Sequence, residues 1–297
     1  MKNIHPIDRD FPIRELDKKD WPKQLWQIPQ SPQKLFIRGD LPKSETKYLC
    51  VVGSRKYTNY GKDVCEKLIA GLRGYDVTIV SGLAIGIDGI AHQAAINTGL
   101  KTIAMPGSGL GVKAIHPLAH VGLAQRILES GGCLLSEFEP DFMATQYSFP
   151  KRNRVAAGLS QAVLIIEAEI KSGTLITSRL ATEYNKDVLT VPGSIFSKTS
   201  EGPHILLRLG ATPITKPEEL LQALGFEPKD NGPRNLELEY HDCSVDEKKI
   251  IAILIEPKTR DEILRSMDLP ISQANTALSI MELKGLIRES LGEIRLT

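Results

Sequence analysis

Short, continuous runs of apolar and β-branched residues alternate with helical segments through most of the chain. The runs are YLCVVG (48–53), VTIVSG (77–82), KTIAMPG (101–107), CLLSE (133–137), AVLIIEA (162–168) and DVLTVPG (187–193). Runs of this kind are typical of strands that are covered on both faces, as in a parallel sheet. The alternation therefore predicts an α/β domain with a doubly wound, mostly parallel sheet over residues 46–225.

The segment before this domain has a different composition. Residues 1–45 are rich in Pro and contain Trp21 and Trp26 among charged residues. We interpret them as an N-terminal extension of short turns and one extended piece. The two Trp side chains are expected to dock on the α/β domain.

The segment after the domain is predicted to form a linker and a second, smaller domain. Residues 226–242 combine Pro, Gly and Asn and are typical of a linker. Residues 243–297 read as three amphipathic helices followed by two strands around a Gly, which is the pattern of a winged-helix domain. A capping box between Thr259 and Glu262 is expected to begin the second of these helices.

Any binding of anions must come from local clusters of charge, because 37 basic residues are balanced by 36 acidic residues in the 297-residue chain. The four cysteines lie far apart and form no CxxC pair, which favours reduced, buried thiols over a zinc site or a disulfide framework. The N-terminus lacks the apolar core of a signal peptide, and no run of about 18 apolar residues suggests a membrane span. We therefore expect a cytoplasmic protein.

Five of the predicted strands are followed by glycine-containing turns, and two of these turns also carry a cation. The two are Gly53, Ser54 and Arg55 after the first strand, and Lys171, Ser172 and Gly173 after the fifth. Ligands of a doubly wound sheet bind at this edge, where helix N-termini present free N–H groups. Any single turn of this kind can be explained by chain reversal alone. The five turns together predict a pocket for anions.

The densest cluster of cations lies in FPKRNRVAAGLS (149–160). Phe149 offers a ring on which a base could stack. Lys151, Arg152 and Arg154 could follow phosphates, and Asn153 could contact a base or a sugar. An aromatic ring beside cations is typical of single-strand binding. Core packing of the ring and a solvated charged face remain as alternative interpretations.

The motifs of cofactor enzymes are missing from the sequence. No GxGxxG follows the first strand, and neither a P-loop nor HExxH nor GxSxG is present. We therefore expect no cofactor and no catalytic residues. Asp88 and His92 are expected to share a hydrogen bond that holds their loop. Glu137, Glu139, Glu167 and Glu169 could suggest a metal site, but ion pairs with neighbouring cations explain them more simply.

Several of these motifs resemble, in order, those of the DNA-processing protein A family (DprA, also called Smf). They are GSR (53–55), SGLAIGIDGIAH (81–92), LLSEFEP (134–140), FPKRNRVAAGLS (149–160), EAEIKSGTLITSRLA (167–181), VPGSIF (191–196) and EGPHILLRLGA (201–211). The resemblance implies a Rossmann-like domain that binds single-stranded DNA and works as a homodimer. It also implies protection of incoming strands during natural transformation and loading of the RecA recombinase, without enzymatic activity.

The DNA pocket that this resemblance implies combines three of the motifs. Its residues are Gly53, Ser54, Arg55, Phe149, Arg152, Asn153, Arg154, Lys171, Ser172 and Gly173, to which the cation cluster adds Lys151. The sequence departs from the family pattern at Gly111 and His116, in PGSGLGVKAIHP.

Two other functions fit parts of the sequence. The fold is similar to that of nucleoside-monophosphate phosphoribohydrolases of the LOG type, but Thr177 stands where those enzymes carry their catalytic Glu. A regulator of duplex DNA could act through the winged helix. However, residues 244–297 carry eight basic and nine acidic residues, and the predicted recognition helix has only Lys284 as a cation.

Overall fold

The computed structural model describes residues 5–42, 45–227, 243–254, 257–267, 269–290 and 292–296. The chain divides into two units, Met1–Pro228 and Lys229–Thr297. Residues 228–242 of the predicted linker lie outside the described residues. Among the described residues, no helix has the length and apolar character that crossing a membrane requires.

A nine-stranded sheet organises the first unit. Its strands are β1 (Arg14–Glu15), β2 (Phe36–Gly39), β3 (Lys47–Val52), β4 (Val77–Ser81), β5 (Lys101–Ala104), β6 (Cys133–Ser136), β7 (Ala162–Ile165), β8 (Asp187–Thr190) and β9 (Thr212–Pro213). They lie in the order β1-β2-β6-β5-β4-β3-β7-β8-β9. All neighbours from β6 to β9 in this order are parallel, whereas β1, β2 and β6 pair antiparallel. The predicted Rossmann-like fold class is confirmed.

Helices cover both faces of the sheet. They are α1 (Pro6–Asp10), α2 (Asn59–Ala70), α3 (Ile87–Thr98), α4 (Val121–Glu129), α5 (Ser148–Leu159), α6 (Thr174–Glu183), α7 (Glu201–Arg208) and α8 (Pro217–Ala223). Alternate residues of β3 enter different cores, because side chains of a strand point alternately to its two faces. Cys50 packs with α5 and α6, and Leu49 packs with α2, α3 and α8.

The predicted boundary at residue 45 does not separate the N-terminal segment from the sheet. β2 pairs with β6, with Ile37 opposite Leu135. Arg38 on β2 is 1% exposed, and its guanidinium donates to the carbonyl oxygens of Leu110, at 2.8 Å, and Ile7, at 3.0 Å. Such a buried cation needs all of its donors satisfied. The N-terminal segment is therefore an integral part of the α/β unit.

The two Trp side chains of this segment differ in their exposure. Trp21 is buried, and its indole N–H donates to the carbonyl of Leu16 at 2.9 Å. Trp26 is 53% exposed and packs at an angle on Trp21, with ring centroids 5.8 Å apart. Docking is thus confirmed for Trp21, and the expectation was wrong for Trp26, about half of which is exposed to solvent.

The second unit contains three helices and a small antiparallel sheet around one apolar core. The helices are α9 (Val245–Ile253), α10 (Arg260–Ser266) and α11 (Ile271–Leu283), and the strands are β10 (Lys258–Thr259), β11 (Ile287–Ser290) and β12 (Glu293–Leu296). The predicted capping box is present: Thr259 Oγ1 accepts from the N–H of Glu262, whose carboxylate accepts from the N–H of Thr259. This arrangement is that of a winged helix.

His92 on α3 is fully buried against the sheet, where its Nδ1 lies 2.7 Å from Thr102 Oγ1. Burial, assisted by the positive charges of His120 and Arg152, lowers the pKa of His92 to about 3. The ring is therefore neutral in the folded protein well below the pH at which an exposed histidine becomes charged.

This difference in pKa makes the stability depend on pH. Below about pH 6.5 the unfolded chain binds a proton at His92 that the folded chain rejects, so the free energy of unfolding falls as the pH is lowered. At pH 5 the loss from this group is about 2 kcal/mol. Urea unfolding at pH 7 and pH 5 measures it, and His92→Gln is expected to reduce the difference between the two. An equal difference in the variant would contradict the assignment.

Candidate functional site

The order of the strands reverses beside β3, and this reversal places a crevice at the carboxyl edge of the sheet. The chain passes from β3 through β4 to β5 and β6 on one side, and through β7 to β8 and β9 on the other. The turns after β3 and β7 consequently diverge over a pocket of about 480 Å³. Its lining consists of Val52, Gly53, Ser54, Arg55, Lys56, Ala84, Asp88, Phe149, Arg152, Asn153, Glu169, Lys171, Ser172, Gly173, Thr174 and Thr177.

The turn after β3 is held by hydrogen bonds at both ends, and Arg55 projects from it into solvent. Ser54 Oγ accepts from the N–H of Lys56 at 3.0 Å, and the carbonyl of Ser54 accepts from the N–H of Ile87 at 3.2 Å. At the far end, the buried carboxylate of Glu167 accepts from the N–H of Thr58 at 2.9 Å and from its hydroxyl at 2.6 Å. The backbone that carries Arg55 is therefore fixed before any ligand binds.

Arg152 on α5 forms the opposite wall and is 8% exposed. Its Nη1 donates to the carbonyl of Met105, and its Nε donates to Asn153 Oδ1 at 2.9 Å. The guanidinium lies directly against Gly82, in the space that a β-carbon at that position would fill. Burial lowers the pKa of Arg152, and the negative charge of Asp88 opposes this effect.

Asp88 is buried at the base of the pocket and binds backbone amides instead of His92. Its Oδ2 accepts from the N–H of Gly82 at 3.0 Å and of Ala84 at 3.4 Å. Burial raises the pKa of Asp88, and the positive charge of Arg152 offsets only part of this increase. The expected Asp88–His92 hydrogen bond was wrong, because the carboxylate accepts from the N–H groups of the 82–84 turn and Thr102 partners the imidazole ring.

The N-terminus of α6 completes the pocket. Thr174 Oγ1 donates to the carbonyl of Gly53 at 3.3 Å, which ties this helix to the turn after β3. No atom lies within 4 Å of the place where a β-carbon of Gly173 would stand, so this end of the helix is open. A helix N-terminus carries partial positive charge and attracts anions. Thr177 is 1% exposed, and its hydroxyl has no hydrogen-bond partner in the described protein.

Phe149 stands at the mouth of the pocket, half-buried. The guanidinium of Arg55 lies 5.6 Å from the centre of its ring, and His116 lies at 5.7 Å on a tilted plane. The ring also rests on Gly107. Core packing and an open face for stacking were the two interpretations of Phe149 from the sequence. Each describes part of this side chain, which packs on one side and faces the pocket on the other.

The structure brings nine of the eleven predicted site residues together around this pocket. The other two, Lys151 and Arg154, are not among the residues that line it. Lys151 is exposed, whereas Arg154 pairs with the carboxylate of Glu137 and donates to the carbonyl of Gln30 at 2.6 Å. Arg154 therefore fastens the N-terminal segment to α5.

Helical spacing explains this division and could have predicted it. Residues 149, 152 and 153 stand at positions i, i+3 and i+4, which share one face of a helix. Lys151 and Arg154 lie on a different face of the same helix. The sequence argument missed the pocket residues Lys56 and Glu169, although Lys56 directly follows Arg55.

Of the carboxylates near the strand ends, two form the expected ion pairs. Glu137 pairs with Arg154, and Glu139 pairs with Lys34 at 3.3 Å. Glu167 accepts hydrogen bonds from Thr58 and Thr199 instead. In the part of the chain that the structure describes, no group of three or more His, Cys, Asp or Glu side chains could hold a metal ion.

Comparison with known proteins agrees with this architecture. The family model described as DNA recombination-mediator protein A matches residues 13–225. The chain belongs to this family. The match begins at residue 13, well before the boundary predicted at residue 45.

Individual relatives match a similar share of the chain. Protein Smf from Escherichia coli is 44% identical over 71% of this chain, which spans 56% of that relative's length. DNA processing protein DprA from Streptococcus pneumoniae is 39% identical over 73% of this chain and 75% of its own. A solved structure of DNA processing protein A from Helicobacter pylori, whose title describes a single-stranded DNA binding mode, is 32% identical, with a TM-score of 0.65 over 72% of this chain and 96% of that chain.

The ion pair of Arg154 can be tested through stability. Replacing Arg154 with Ala leaves Glu137 in a largely buried place without its partner, which typically costs about 3 kcal/mol. Lys151→Ala, three residues earlier on the same helix, is the matched control and should change the free energy of unfolding by less than about 0.5 kcal/mol. Urea unfolding compares them, and equal effects would contradict the distinction between the two cations.

Proposed function

We propose that this chain binds single-stranded DNA in the pocket at the carboxyl ends of β3 and β7, and that it does so without catalysis. The observation that carries this proposal is one pocket that is lined by Arg55, Arg152 and Phe149 together with the open N-terminus of α6. Phosphates and bases alternate along a single strand, and cations beside an aromatic ring bind both.

Electrostatics support a polyanion as the ligand. Four basic side chains line the pocket, namely Arg55, Lys56, Arg152 and Lys171, against the two carboxylates of Asp88 and Glu169. The carboxylate of Asp88 is occupied by two backbone amides and faces Arg152. The excess of positive charge is thus local, in a chain whose net charge is only +1.

Family membership supports a role in recombination. We propose that the chain protects incoming single strands in the cytoplasm and loads the RecA recombinase onto them, during natural transformation or during recombination in general. The similarity to the Helicobacter pylori protein, which spans nearly all of that chain and whose title describes a single-stranded DNA binding mode, favours single-stranded DNA as the ligand.

The residues of the pocket argue against turnover. Thr177 occupies the position of the catalytic Glu of LOG-type phosphoribohydrolases, and a hydroxyl cannot replace a carboxylate in stabilising an oxocarbenium-like transition state. The nearby carboxylate of Asp88 is engaged by the amides of Gly82 and Ala84. Release of adenine from AMP by the purified protein would contradict this part of the proposal.

The winged helix is proposed to dock proteins or to bind duplex DNA weakly. Its unit carries slightly more acidic than basic residues. Lys284, which directly follows α11, is the single cation in residues 271–284, and its ammonium group donates to Glu247 at 2.7 Å. A chain that ends at residue 228 is therefore expected to keep its affinity for single strands.

Large apolar side chains near the C-terminal end of the first unit favour a homodimer. Ile195 is 80% exposed, Phe196 is 92% exposed and Leu209 is 78% exposed. Exposed apolar side chains that form one patch mark interaction surfaces, and we propose that these three side chains form such a patch. Sedimentation tests the proposal: Phe196→Asp is expected to shift the protein from dimer to monomer, whereas Leu118→Asp, at a residue that is 66% exposed elsewhere on the unit, should not. A wild-type monomer would contradict it.

Substitution of the two arginines tests the proposed pocket. Arg55→Ala and Arg152→Ala should each weaken binding of oligo-thymidylate about tenfold or more, because each removes a charged donor to a phosphate. Arg73→Ala, at an exposed arginine just beyond α2 at the opposite edge, is the control. Fluorescence anisotropy at several salt concentrations should also show a shallower salt dependence for Arg55→Ala.

Wild-type protein should bind the single strand more tightly than blunt duplex of the same length. If the two variants bind oligo-thymidylate as the wild type does, the pocket assignment is wrong. Unfolding in urea, compared among the three variants, separates a loss of contact from a loss of structure.

A further inference from the structure

The exposed aromatic side chains of the first unit include two that closely follow pocket residues in the sequence. Tyr57 is 43% exposed, and Tyr60 is 48% exposed. Both belong to the segment RKYTNYGK (55–62), which contains three basic residues and no acidic residue. Two members of this segment, Arg55 and Lys56, line the pocket itself.

The backbone on both sides of Tyr57 is held in place. Lys56 donates its N–H to Ser54 Oγ at 3.0 Å, and Thr58 is bound through its N–H and its hydroxyl to the buried carboxylate of Glu167. The ring of Tyr57 is thus presented to solvent from a fixed turn. A ring that is ordered before binding loses little conformational entropy when a ligand stacks on it.

Tyr60 is held through its own side chain. It lies in the first turn of α2, whose N-cap is Thr58, and its hydroxyl donates to the carbonyl of Pro192 at 2.6 Å. Pro192 belongs to the turn that follows β8, two strands away from β3 in the sheet. The two tyrosines therefore mark a path along the carboxyl edge that begins at the pocket and continues towards β8.

We propose that Tyr57 and Tyr60 form a second stacking platform, on which the single strand continues after it leaves the pocket. A pocket of about 480 Å³ has the volume of a small-molecule site, so it holds only a short part of a strand and the next nucleotides must cross the neighbouring surface. Of the surface next to the pocket, this segment combines exposed rings with cations and lacks acidic residues. This extension rests on the proposed function.

The platform predicts a dependence on the length of the oligonucleotide. Oligo-thymidylates of about 3 and about 12 nucleotides are compared by fluorescence anisotropy with the full chain. Tyr57→Ala should weaken binding of the longer one about 5- to 150-fold and leave the shorter one within about twofold of the wild type. Tyr60→Ala should show the same pattern.

Two further variants control this experiment. Tyr57→Phe keeps the ring and should restore binding of the longer oligonucleotide, which a loss of folding would not allow. Trp26→Ala removes an aromatic side chain of similar exposure from the N-terminal segment, where Ile28, two residues further on, packs on Gly158 at the C-terminal end of α5. It should bind both oligonucleotides as the wild type does.

The outcomes distinguish this inference from the proposed function. If the wild type binds both oligonucleotides and Tyr57→Ala matches it at both lengths, or loses both equally, the second platform is overturned and the pocket stands. If Tyr57→Ala changes the sedimentation of the protein but not its length dependence, the surface binds a protein and the inference is wrong. A wild type that binds neither oligonucleotide would overturn the function and the platform together.

Discussion

The buried guanidinium of Arg152 on α5 joins the turns that follow β4 and β5 to the start of α3. It lies against Gly82 in the turn after β4, donates to the carbonyl of Met105 after β5 and stands opposite Asp88 at the start of α3. A cation can be buried only where donors and charge are compensated, so the backbone around it must be arranged in one way. Because Asp88 in turn binds the amides of Gly82 and Ala84, the walls of the pocket depend on this arrangement.

A second constraint orients the helix that carries Arg152. The N-terminal segment packs along α5, where Ile28 fills the space beside Gly158 and Arg154 holds the carbonyl of Gln30. On the other side of the pocket, Glu167 fixes the turn that carries Arg55. The site is thus preorganised from two directions, which reduces the entropy that the protein loses when a ligand binds.

The sequence was sufficient to predict the parallel strands and the pocket, because continuous apolar runs and strand-end turns are local signals. It was insufficient for β2 and Arg38. Residues 36–39 form one short strand between Pro-containing segments, and only antiparallel pairing with β6, almost 100 residues further along the chain, reveals the role of that strand. Burial of an arginine is likewise a property of the tertiary structure. The different surroundings of Arg152 and Arg154 were missed for a simpler reason: the cluster was treated as one group of charges, and its helical spacing was not applied.

Hydrogen–deuterium exchange of the full chain, with and without oligo-thymidylate, tests the central claim most directly. If single-stranded DNA binds where the order of the β-strands reverses, hydrogen exchange should slow mainly in residues 53–58, 82–88, 149–154 and 171–176. These segments line one pocket although they are far apart in the sequence. Slowed exchange confined to the second unit, with residues 53–58 and 149–154 unchanged, would contradict the account.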